Sequence, residues 1–489
     1  MKPAAVHDLG QLDAWVLSTY QRLERLSVPV FDVRGETPVS ALPGRIVELP
    51  LSRLPTALPG RIGSFDEWLA TGVLPGVAAL DATIRLSLLF RYFAAPLRYE
   101  PTGESSVHKA VPSARCLFPV DYFLLRQTAD GITAWRYVAE HHALTPVAFS
   151  GSVTFPGDAA LVAVARIWSI AEKYGEFAHF PPVLEGGHAA AQIGYLAASL
   201  GLAGLCEVDR AVGRGLCSSA FDLPLFAVGL CLADSDPAAL EVVWSRVALR
   251  GEGPDLAERF PRLATFQRLF DGDGAPPASA AQSAAGPSGT DTDTGSDFFE
   301  VLCRRTAGND RAGTAATLVT APADLLPGLF AVWRAVASRR PRLAGEAVID
   351  ASLAWLADGP VAAGLYRDDG TRHVSVASRS EFRRQVAAML PYRGMRLNLD
   401  TLTAMLVIHV DPLVAIERLG PAALREVHLA AGAVAQDFGL AAAALGLFAR
   451  PVRMMREALL ERALPIDGQV VYQLLCGFAR RANPSSELL

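Results

Sequence analysis

The same pattern of apolar and small residues occurs twice along the chain. Residues 186–202 (GGHAAAQIGYLAASLGL) and 430–447 (AAGAVAQDFGLAAAALGL) are both Ala-rich and end in Leu-Gly-Leu. Their apolar positions recur at helical spacing, so each segment is predicted to be an amphipathic helix. Small side chains allow close helix–helix approach, which suits a domain interface. A repeat of this kind indicates a duplicated unit.

Strand-like runs flank both predicted helices. ALVAVARIWSI precedes the first helix and AMLVIHV precedes the second, while LPLFAVGL and VYQLLCGF follow them. The first half also contains FPVDYFLLRQTADGITAWRYV, a strand, turn and strand pattern typical of antiparallel pairing. The predicted fold class is therefore α+β, with helices packed on a mostly antiparallel sheet in each half.

Between the two repeats lies a segment that has almost no large apolar side chain. Residues 271–297 (DGDGAPPASAAQSAAGPSGTDTDTGSD) are dense in Gly, Pro, Ser, Asp and Thr, so they cannot offset their ordering entropy. We predict a disordered linker here. The remaining chain then divides into an N-terminal extension of unclear role (1–60), a first domain (61–270) and a second domain (298–489).

The composition excludes several classes of protein. Half of the 489 residues are hydrophobic (51%) and only 19% are charged, which favours large buried cores. A net charge of −5 offers no basic face for nucleic acid. No apolar run reaches the roughly 18 residues of a membrane span, and the N-terminus lacks a signal-peptide apolar region. We expect a cytoplasmic protein with no nucleic-acid or membrane partner.

Motifs for metal, hydrolase and nucleotide chemistry are missing from the sequence. The six cysteines form no CxxC pair and no His/Cys cluster, so they are expected to be buried thiols in a reducing compartment, with no metal site. We also find no GxSxG, P-loop, HExxH or Rossmann glycine fingerprint. The candidate chemistry must come from other residues.

Two segments of the first half resemble a known family. VPSARCLFPVDYFLL (111–125) has a Pro-Ser-Ala turn before a strand, and IAEKYGEFAHFPPVLEGGHAAAQIGYLAASLGL (170–202) has a Lys-Tyr dipeptide followed by Glu, Gly-His, Gln and the Ala-rich helix. This order and spacing resembles the nitroreductase-like azoline dehydrogenases. Those flavoenzymes oxidise thiazolines and oxazolines in ribosomal peptides to aromatic azoles, as in thiopeptide biosynthesis.

The second half resembles the same family in the same order. FFEVLCRRTAGNDRAG is similar to the family's opening Arg-Arg-Ser/Thr motif, and GLYRDDGTRHVSV, ALGLFARPVRM and VYQLLCGFARR follow it. The first sixty residues and residues 234–270 match no part of that pattern. The resemblance thus implies two nitroreductase-like domains in tandem.

Family members dimerise and bind FMN between subunits, so the resemblance implies an intramolecular pseudo-dimer with FMN as cofactor. An Arg side chain offers a planar fork of donors to a phosphate group. The residues implied for FMN binding are the phosphate-binding Arg304, Arg305, Thr306, Arg480 and Arg481, and the ring-covering turn of Pro112, Ser113 and Ala114.

The two halves depart from the family pattern in opposite ways. The Pro-Ser-Ala position of the second half reads PRLAG (341–345), and its Lys-Tyr position reads Arg418-Leu419. The first half has only RIGS (61–64) as an opening motif and lacks the arginines that follow Gly477. We therefore predict one working FMN site and one vestigial site.

Aromatising an azoline requires a base for the carbon-bound proton and an acceptor for the hydride. The resemblance implies Lys173 and Tyr174 for the proton transfer. A lysine is a base at neutral pH only if burial or a nearby cation lowers its pKa. The flavin would supply the redox chemistry and the protein the position and the base.

The remaining polar residues of interest are expected to have structural roles or to be exposed. Gln192 and Gln436 are placed to hydrogen-bond across the helix interface. His188, at the start of the first repeated helix, is expected to be structural, while His141 and His142 lie in a turn-like segment and are expected to be exposed.

The function expected is FMN-dependent azoline oxidation, with an azoline-containing precursor peptide and the pathway's cyclodehydratase as partners. Whether pseudo-dimers assemble into a homo-oligomer stays open. One alternative is an FMN reductase or oxidase acting on another substrate, such as a nitro compound, which needs no carbon-proton base. A second is a flavin-free scaffold that binds the peptide or its enzymes.

Overall fold

The structure is a computed structural model of the chain. It describes residues 6–21, 45–56, 61–100, 107–151, 153, 155, 157–232, 237, 240–249, 256–272, 295–310, 313–314, 316–317, 319–375, 378–389, 401–453, 455–464, 466–479 and 486–487. Most of the predicted linker (273–294) and Arg480 and Arg481 lie outside the described residues.

The first half is built on an eight-stranded antiparallel sheet with the order β10-β1-β6-β5-β4-β7-β9-β8. Its strands are β1 (Arg45–Arg53), β4 (Val120–Thr128), β5 (Gly131–Val138), β6 (Ala143–Val147), β7 (Ala159–Arg166), β8 (Ala203–Val208), β9 (Asp222–Leu230) and β10 (Val242–Leu249).

The second half repeats the centre of that sheet. Its order is β13-β19-β17-β14-β15-β16, with β18 also pairing with β19. The strands are β13 (Ala316–Thr317), β14 (Ile349–Trp355), β15 (Gly364–Arg367), β16 (Arg372–Ser375), β17 (Ala404–Val410), β18 (Phe448–Val452) and β19 (Gln469–Ala479). The order β5-β4-β7-β9 thus corresponds to β15-β14-β17-β19, which confirms the predicted α+β class in both halves.

In the described part of the chain, five short strands lie outside the two sheets, and one of them connects the halves. They are β2 (Arg98–Tyr99), β3 (Val107–His108), β11 (Asn309–Asp310), β12 (Gly313–Thr314) and β20 (Ser486–Glu487). β20, at the end of the second half, pairs with β2 of the first half, so the chain crosses between halves after β19.

Helices cover the sheets and fill the space between them. They are α1 (Val6–Thr19), α2 (Phe65–Thr71), α3 (Ala82–Phe93), α4 (Trp168–Tyr174), α5 (Phe180–Ser199), α6 (Leu256–Arg259), α7 (Leu263–Asp271), α8 (Phe298–Arg304), α9 (Leu325–Ala337), α10 (Arg379–Ala388), α11 (Pro412–Leu419), α12 (Ala423–Ala444) and α13 (Glu457–Ala463).

The two repeated helices, α5 and α12, cross at the interface between the halves. A Cβ atom on Gly187 would lie 1.9 Å from the Leu429 carbonyl oxygen, and one on Gly432 would lie 2.1 Å from the Leu184 carbonyl oxygen. The helix backbones therefore touch, which only glycine permits at these two positions. This crossing forms the predicted intramolecular pseudo-dimer.

Both helices begin earlier than the sequence pattern indicated. Helix α5 begins at Phe180, because the prolines that follow it stand in the first turn, where no backbone N–H is required. The stretch Pro412–Ala444, which contains α11 and α12, is long and apolar enough to cross a membrane by composition, but 89% of its 18-residue apolar window is buried inside the protein. It is a core element shared by the two halves.

Candidate functional site

A buried arginine of the second half lies against the Pro-Ser-Ala segment of the first half. Arg305 directly follows α8, and its Nη2 donates to the Lys109 carbonyl oxygen at 3.0 Å. The residue is only 7% exposed, and its Nε has no hydrogen-bond partner among the described residues. Burial, aided by the neighbouring Arg98, lowers the pKa of Arg305 to about 10. A buried guanidinium with an unused donor is costly unless an anion or acceptor meets it.

The Pro-Ser-Ala segment is a strained turn. Pro112, Ser113 and Ala114 are all partly exposed, and the Ser113 hydroxyl accepts a hydrogen bond from the Phe118 backbone N–H at 2.9 Å. The φ angles of Arg115, Cys116 and Phe118 are 51°, 53° and 47°, values that residues other than glycine rarely adopt. Strain of this kind persists where the surroundings enforce it and concentrates at ligand sites.

Lys173 and Tyr174 end helix α4, which follows β7 directly. Burial raises the pKa of Tyr174 to about 12, and the nearby Arg115 opposes that rise only in part. Tyr174 therefore keeps its proton at neutral pH and can act as a hydrogen-bond donor. Lys173 is half-buried beside it. The influence of Arg115 and Cys116 on Tyr174 places this tyrosine near the Pro-Ser-Ala turn.

Two further ionisable residues adjoin this turn. Burial lowers the pKa of Lys109 and raises that of Glu185 to about 8, and each residue partly offsets the shift of the other. The Lys109 Nζ lies 4.3 Å from the centroid of the Phe118 ring. Glu185 is 4% exposed, and one of its carboxyl oxygens has no hydrogen-bond partner among the described residues.

A chain of buried hydrogen bonds crosses the interface. Tyr472 lies 3.1 Å from His188 Nε2, His188 Nδ1 lies 2.9 Å from Gln436 Oε1, and Gln436 Nε2 donates to Gln192 Oε1 at 2.9 Å. Gln192 then donates to the Tyr92 carbonyl oxygen at 3.0 Å. Because the Gln436 oxygen must accept, His188 carries its proton on Nδ1 and accepts from the Tyr472 hydroxyl.

This arrangement gives His188 a structural role. Burial lowers its pKa to about 3, aided by Arg305, so the ring stays neutral with both nitrogens engaged. The hydrogen bond expected between Gln192 and Gln436 is present. His141 is exposed as expected, whereas the expectation for His142 was wrong: its ring is buried between Ser87 (2.8 Å) and Tyr137 (2.7 Å), because the turn folds back under β5.

Not every expected phosphate ligand joins the site. Arg304 is exposed and donates to Ser296 at 2.8 Å and to Glu300 on its own helix. The Thr306 hydroxyl is half-buried and accepts from the Gly308 backbone N–H at 3.2 Å. Of the described residues implied for the phosphate, which are Arg304, Arg305 and Thr306, Arg305 is the one that is buried and hydrogen-bonded to the first half.

The opening motif of the first half needs a correction. Ser64 and Asp297 pair as an isolated antiparallel bridge, and each caps its own helix, α2 or α8. The two helices are therefore equivalent. Arg61 to Ser64 lie before α2, whereas Arg304 and Arg305 of the second half lie at the end of α8 and directly after it. Counting from the caps, the position of Arg305 is taken by Gly72, so the first half has no such cation.

The pseudo-symmetric counterpart of the site is filled by protein. Arg340, 1% exposed at its side chain, donates to Asp437 at 2.9 and 2.6 Å and to Glu346 at 2.6 Å. The Tyr195 hydroxyl also donates to Asp437, at 3.2 Å. Beside them, Arg339 packs against Gly72 and donates to the Leu69 carbonyl oxygen.

Sequence reasoning missed three residues of the site: Lys109, Glu185 and Tyr472. Glu185 stood inside the quoted family segment, and Tyr472 inside a quoted strand, but neither had been given a role. The available signal was the position of Glu185 one helical turn before His188, which places both on one face of α5.

No protein-family model matches the sequence, and no curated protein matches it. Among solved structures, a candidate nitroreductase from Anabaena variabilis aligns with a TM-score of 0.60 and 18% identity, over 81% of this chain and 88% of that chain. A candidate nitroreductase from Ralstonia eutropha aligns over 42% of this chain and 96% of that chain (TM-score 0.29, 21% identity). The E. coli microcin synthetase McbBCD complex aligns over 29% and 56% (TM-score 0.25, 15% identity). The first of these likenesses shows the fold: the chain has a nitroreductase-like fold, arranged as two joined α+β halves.

Proposed function

We propose that this protein binds one FMN between its two halves and oxidises thiazolines or oxazolines in a ribosomal precursor peptide to thiazoles or oxazoles. The observation that carries the proposal is Arg305: a buried cation of one half, with an unused donor, set against the Pro-Ser-Ala turn of the other half. The contact that supports it is the hydrogen bond from Arg305 of the second half to Lys109, three residues before Pro112 of the first half.

The residues present fit FMN. The phosphate of FMN is an anion, and a guanidinium with a free Nε can bind it with charge-assisted hydrogen bonds. Arg305 would hold that phosphate together with Thr306, and Arg480 and Arg481 would extend the phosphate site. Ser113, with its neighbours Pro112 and Ala114, would cover the ring from the other half without a bulky side chain.

A second FMN does not fit the equivalent site. Arg340, Asp437 and Glu346 neutralise one another there, and Arg339 occupies the space beside Gly72. Displacing a paired, buried ion cluster would leave its charges uncompensated, at a cost of several kcal/mol. We therefore expect one FMN per chain.

When bound, the flavin supplies an acceptor for the hydride that leaves the azoline. The protein must orient the ring and take the carbon-bound proton. Lys173 is the proposed base of the Lys-Tyr pair, and Tyr174, which keeps its own proton, would donate a hydrogen bond that orients the substrate. The proposed partners are the precursor peptide and the cyclodehydratase that makes its azolines, in the cytoplasm.

The test is to purify the protein, record its visible spectrum and quantify released FMN per chain. One FMN per chain supports the shared site. Two per chain would show that the site with the Arg340 cluster also binds FMN. If no FMN binds even after it is added, the flavin-free scaffold is the remaining hypothesis. Oxidation of an azoline peptide, with its loss in Lys173→Ala, distinguishes the proposed reaction from reduction of a nitro compound.

The role of Arg305 is tested with a matched pair of variants. Arg305→Ala should weaken FMN binding by about 10- to 100-fold, the equivalent of a hydrogen bond to a charged group worth about 1.5–3 kcal/mol. Arg304→Ala removes a neighbouring but exposed arginine and should change the affinity at most a few-fold. Equal affinities for the two variants would contradict the proposed phosphate site.

A further inference from the structure

We propose that Arg98 is a further phosphate-binding arginine, contributed by the first half, and that Arg98 and Arg305 hold the FMN phosphate together from the two halves. The inference rests on the proposed function for the identity of the anion. It adds a residue that no sequence motif indicated. Arg98 begins β2, ahead of the Pro-Ser-Ala turn.

The two arginines make reciprocal contacts across the interface. Arg98 Nη1 of the first half donates to the Cys303 carbonyl oxygen of the second half at 2.9 Å. Arg305 Nη2 of the second half donates to the Lys109 carbonyl oxygen of the first half at 3.0 Å. Cys303 lies two residues before Arg305, and Arg98 pairs in the β2–β3 ladder with His108, which precedes Lys109. The two guanidinium groups therefore lie in one place.

Each of the two arginines keeps a donor that no described residue uses. Arg98 Nε donates to Glu100 Oε1 at 2.6 Å and its Nη1 donates to Cys303, so its Nη2 has no acceptor in the described part of the chain. Arg305 likewise has no acceptor for its Nε among the described residues. A phosphate group has several terminal oxygens, so it can accept charge-assisted hydrogen bonds from two guanidinium groups at once.

Positive charge is in excess around the two arginines. Glu100 is the carboxylate that Arg98 contacts, and His108 Nε2 lies 3.3 Å from the same carboxyl group. Burial lowers the pKa of His108, but hydrogen bonds to Cys116 and Glu100 outweigh burial and raise it to about 9, so the ring is charged at neutral pH. Arg305 forms no ion pair with the described residues. Two arginines and a histidine thus face one carboxylate, and a phosphate monoester, with about two negative charges at pH 7, would balance the excess.

The backbone of Arg98 is held between two strands. β2 pairs with β3 on one side and with β20 on the other, so that Arg98 lies opposite His108 and Glu487. β20 belongs to the second half, so both halves fix the position of this arginine. A cation that is held in place before its ligand arrives loses less entropy when the ligand binds.

The pseudo-symmetric counterpart site offers an internal comparison. There Arg339 of the second half donates to the Leu69 carbonyl oxygen of α2, as Arg98 donates to the end of α8. This contact is therefore common to both interfaces and is structural in both. The sites differ at the next position, where one has Arg305 and the other has Gly72. Two arginines can share an anion only where Arg305 is present, and Arg339→Met is the matched control for Arg98→Met.

The first experiment compares FMN with riboflavin, which has the same ring but no phosphate group. Titrations of the protein without flavin, followed by flavin fluorescence, give both affinities. Arg98→Met should bind FMN about 10- to 100-fold more weakly than wild type does, the usual effect of losing a hydrogen bond to a charged group, and should bind riboflavin equally well. Arg339→Met should leave both affinities unchanged. Arg98→Lys keeps the charge but not the planar fork, so its affinity for FMN should be intermediate.

The second experiment uses inorganic phosphate as the probe in the protein without flavin. At constant ionic strength, phosphate should raise the melting temperature of wild type and of Arg339→Met, because a ligand that binds the folded state stabilises it. Arg98→Met and Arg305→Ala should show no such rise.

The outcomes separate the inference from the proposed function. If wild type binds FMN, the comparison with riboflavin decides: an FMN affinity of Arg98→Met equal to that of wild type, or an equal loss for both flavins, overturns the inference. An equal loss would show that Arg98 only positions the halves. If wild type binds no flavin but phosphate stabilises it through Arg98, the proposed function fails and the two-arginine site stands for another phosphate monoester. If wild type binds neither flavin nor phosphate, both fail.

Discussion

The crossing of α5 and α12 predicts that replacing two different glycines of α12 with alanine changes the free energy of unfolding in opposite directions. Gly432 touches the backbone of α5, since a Cβ atom there would lie 2.1 Å from the Leu184 carbonyl oxygen. Gly439, two turns further along α12, has no atom within 4 Å of a Cβ position. Replacing each with alanine therefore adds the same methyl group in two different surroundings.

The magnitude follows from the distances. To bring the new Cβ of Gly432→Ala from 2.1 Å to an ordinary 3.4 Å contact, the helices must separate by about 1.3 Å. A radial gap of about 0.5–1 Å already forfeits a quarter to a half of the dispersion energy of each contact. We expect the free energy of unfolding to fall by about 2–4 kcal/mol, after the gain of about 1 kcal/mol in helix propensity.

Gly439→Ala increases the helix propensity and causes no steric clash. It should therefore raise the free energy of unfolding by about 0.5–1 kcal/mol. The assay is urea unfolding followed by tryptophan fluorescence and circular dichroism, with FMN content measured in parallel. Gly432→Ala should unfold at lower urea and bind less FMN, because the site lies between the halves. Equal urea midpoints for the two variants would refute the backbone contact.

Two further predictions concern buried charges. Arg340→Met should lower the free energy of unfolding by about 3–5 kcal/mol, because Asp437 is left buried without its arginine partner. The double variant Arg340→Met/Asp437→Leu should regain much of that loss. The urea midpoints of the two variants measure these effects. Burial lowers the pKa of His142 and His179 to about 4 and that of His188 to about 3. These rings gain protons in the unfolded chain below pH 6.5, so stability should fall from pH 6.5 toward pH 4 by about 1.4 kcal/mol per histidine per pH unit. Urea midpoints at pH 7.5 and 5.5 test this, and no change would contradict it.

Local patterns in the sequence predicted much of the fold. The runs before and after each repeated helix form β7, β9, β17 and β19, because uninterrupted apolar runs of that length are typical of strands covered on both faces. The small residues of α5 indicated an interface, and the glycine contact bears this out. These features depend on neighbours a few residues apart, and a sequence shows them directly.

Contacts between the halves could not be obtained in that way. Arg305 meets Lys109 across 196 residues, and His188 meets Tyr472 across 284 residues. No periodicity encodes such pairs. The opening motif of the first half was misassigned for a related reason: RIGS was matched by residue type, whereas the equivalence of α2 and α8 is fixed by their caps, Ser64 and Asp297.

The duplication alone does not explain why the two interface sites differ, but the cost of burying polar groups does. In a symmetric pair, each interface site must remain open to a ligand, and an empty buried site is costly because its polar groups lose both water and partner. At the site with Gly72, Arg340 forms an internal ion cluster with Asp437 and Glu346. Asp437 stands where Gln192 stands in the other helix. Arg305, by contrast, keeps a buried donor without a partner among the described residues. The same fold thus stabilises one interface through paired side chains and keeps an unused arginine donor at the other, where we propose that an anion binds.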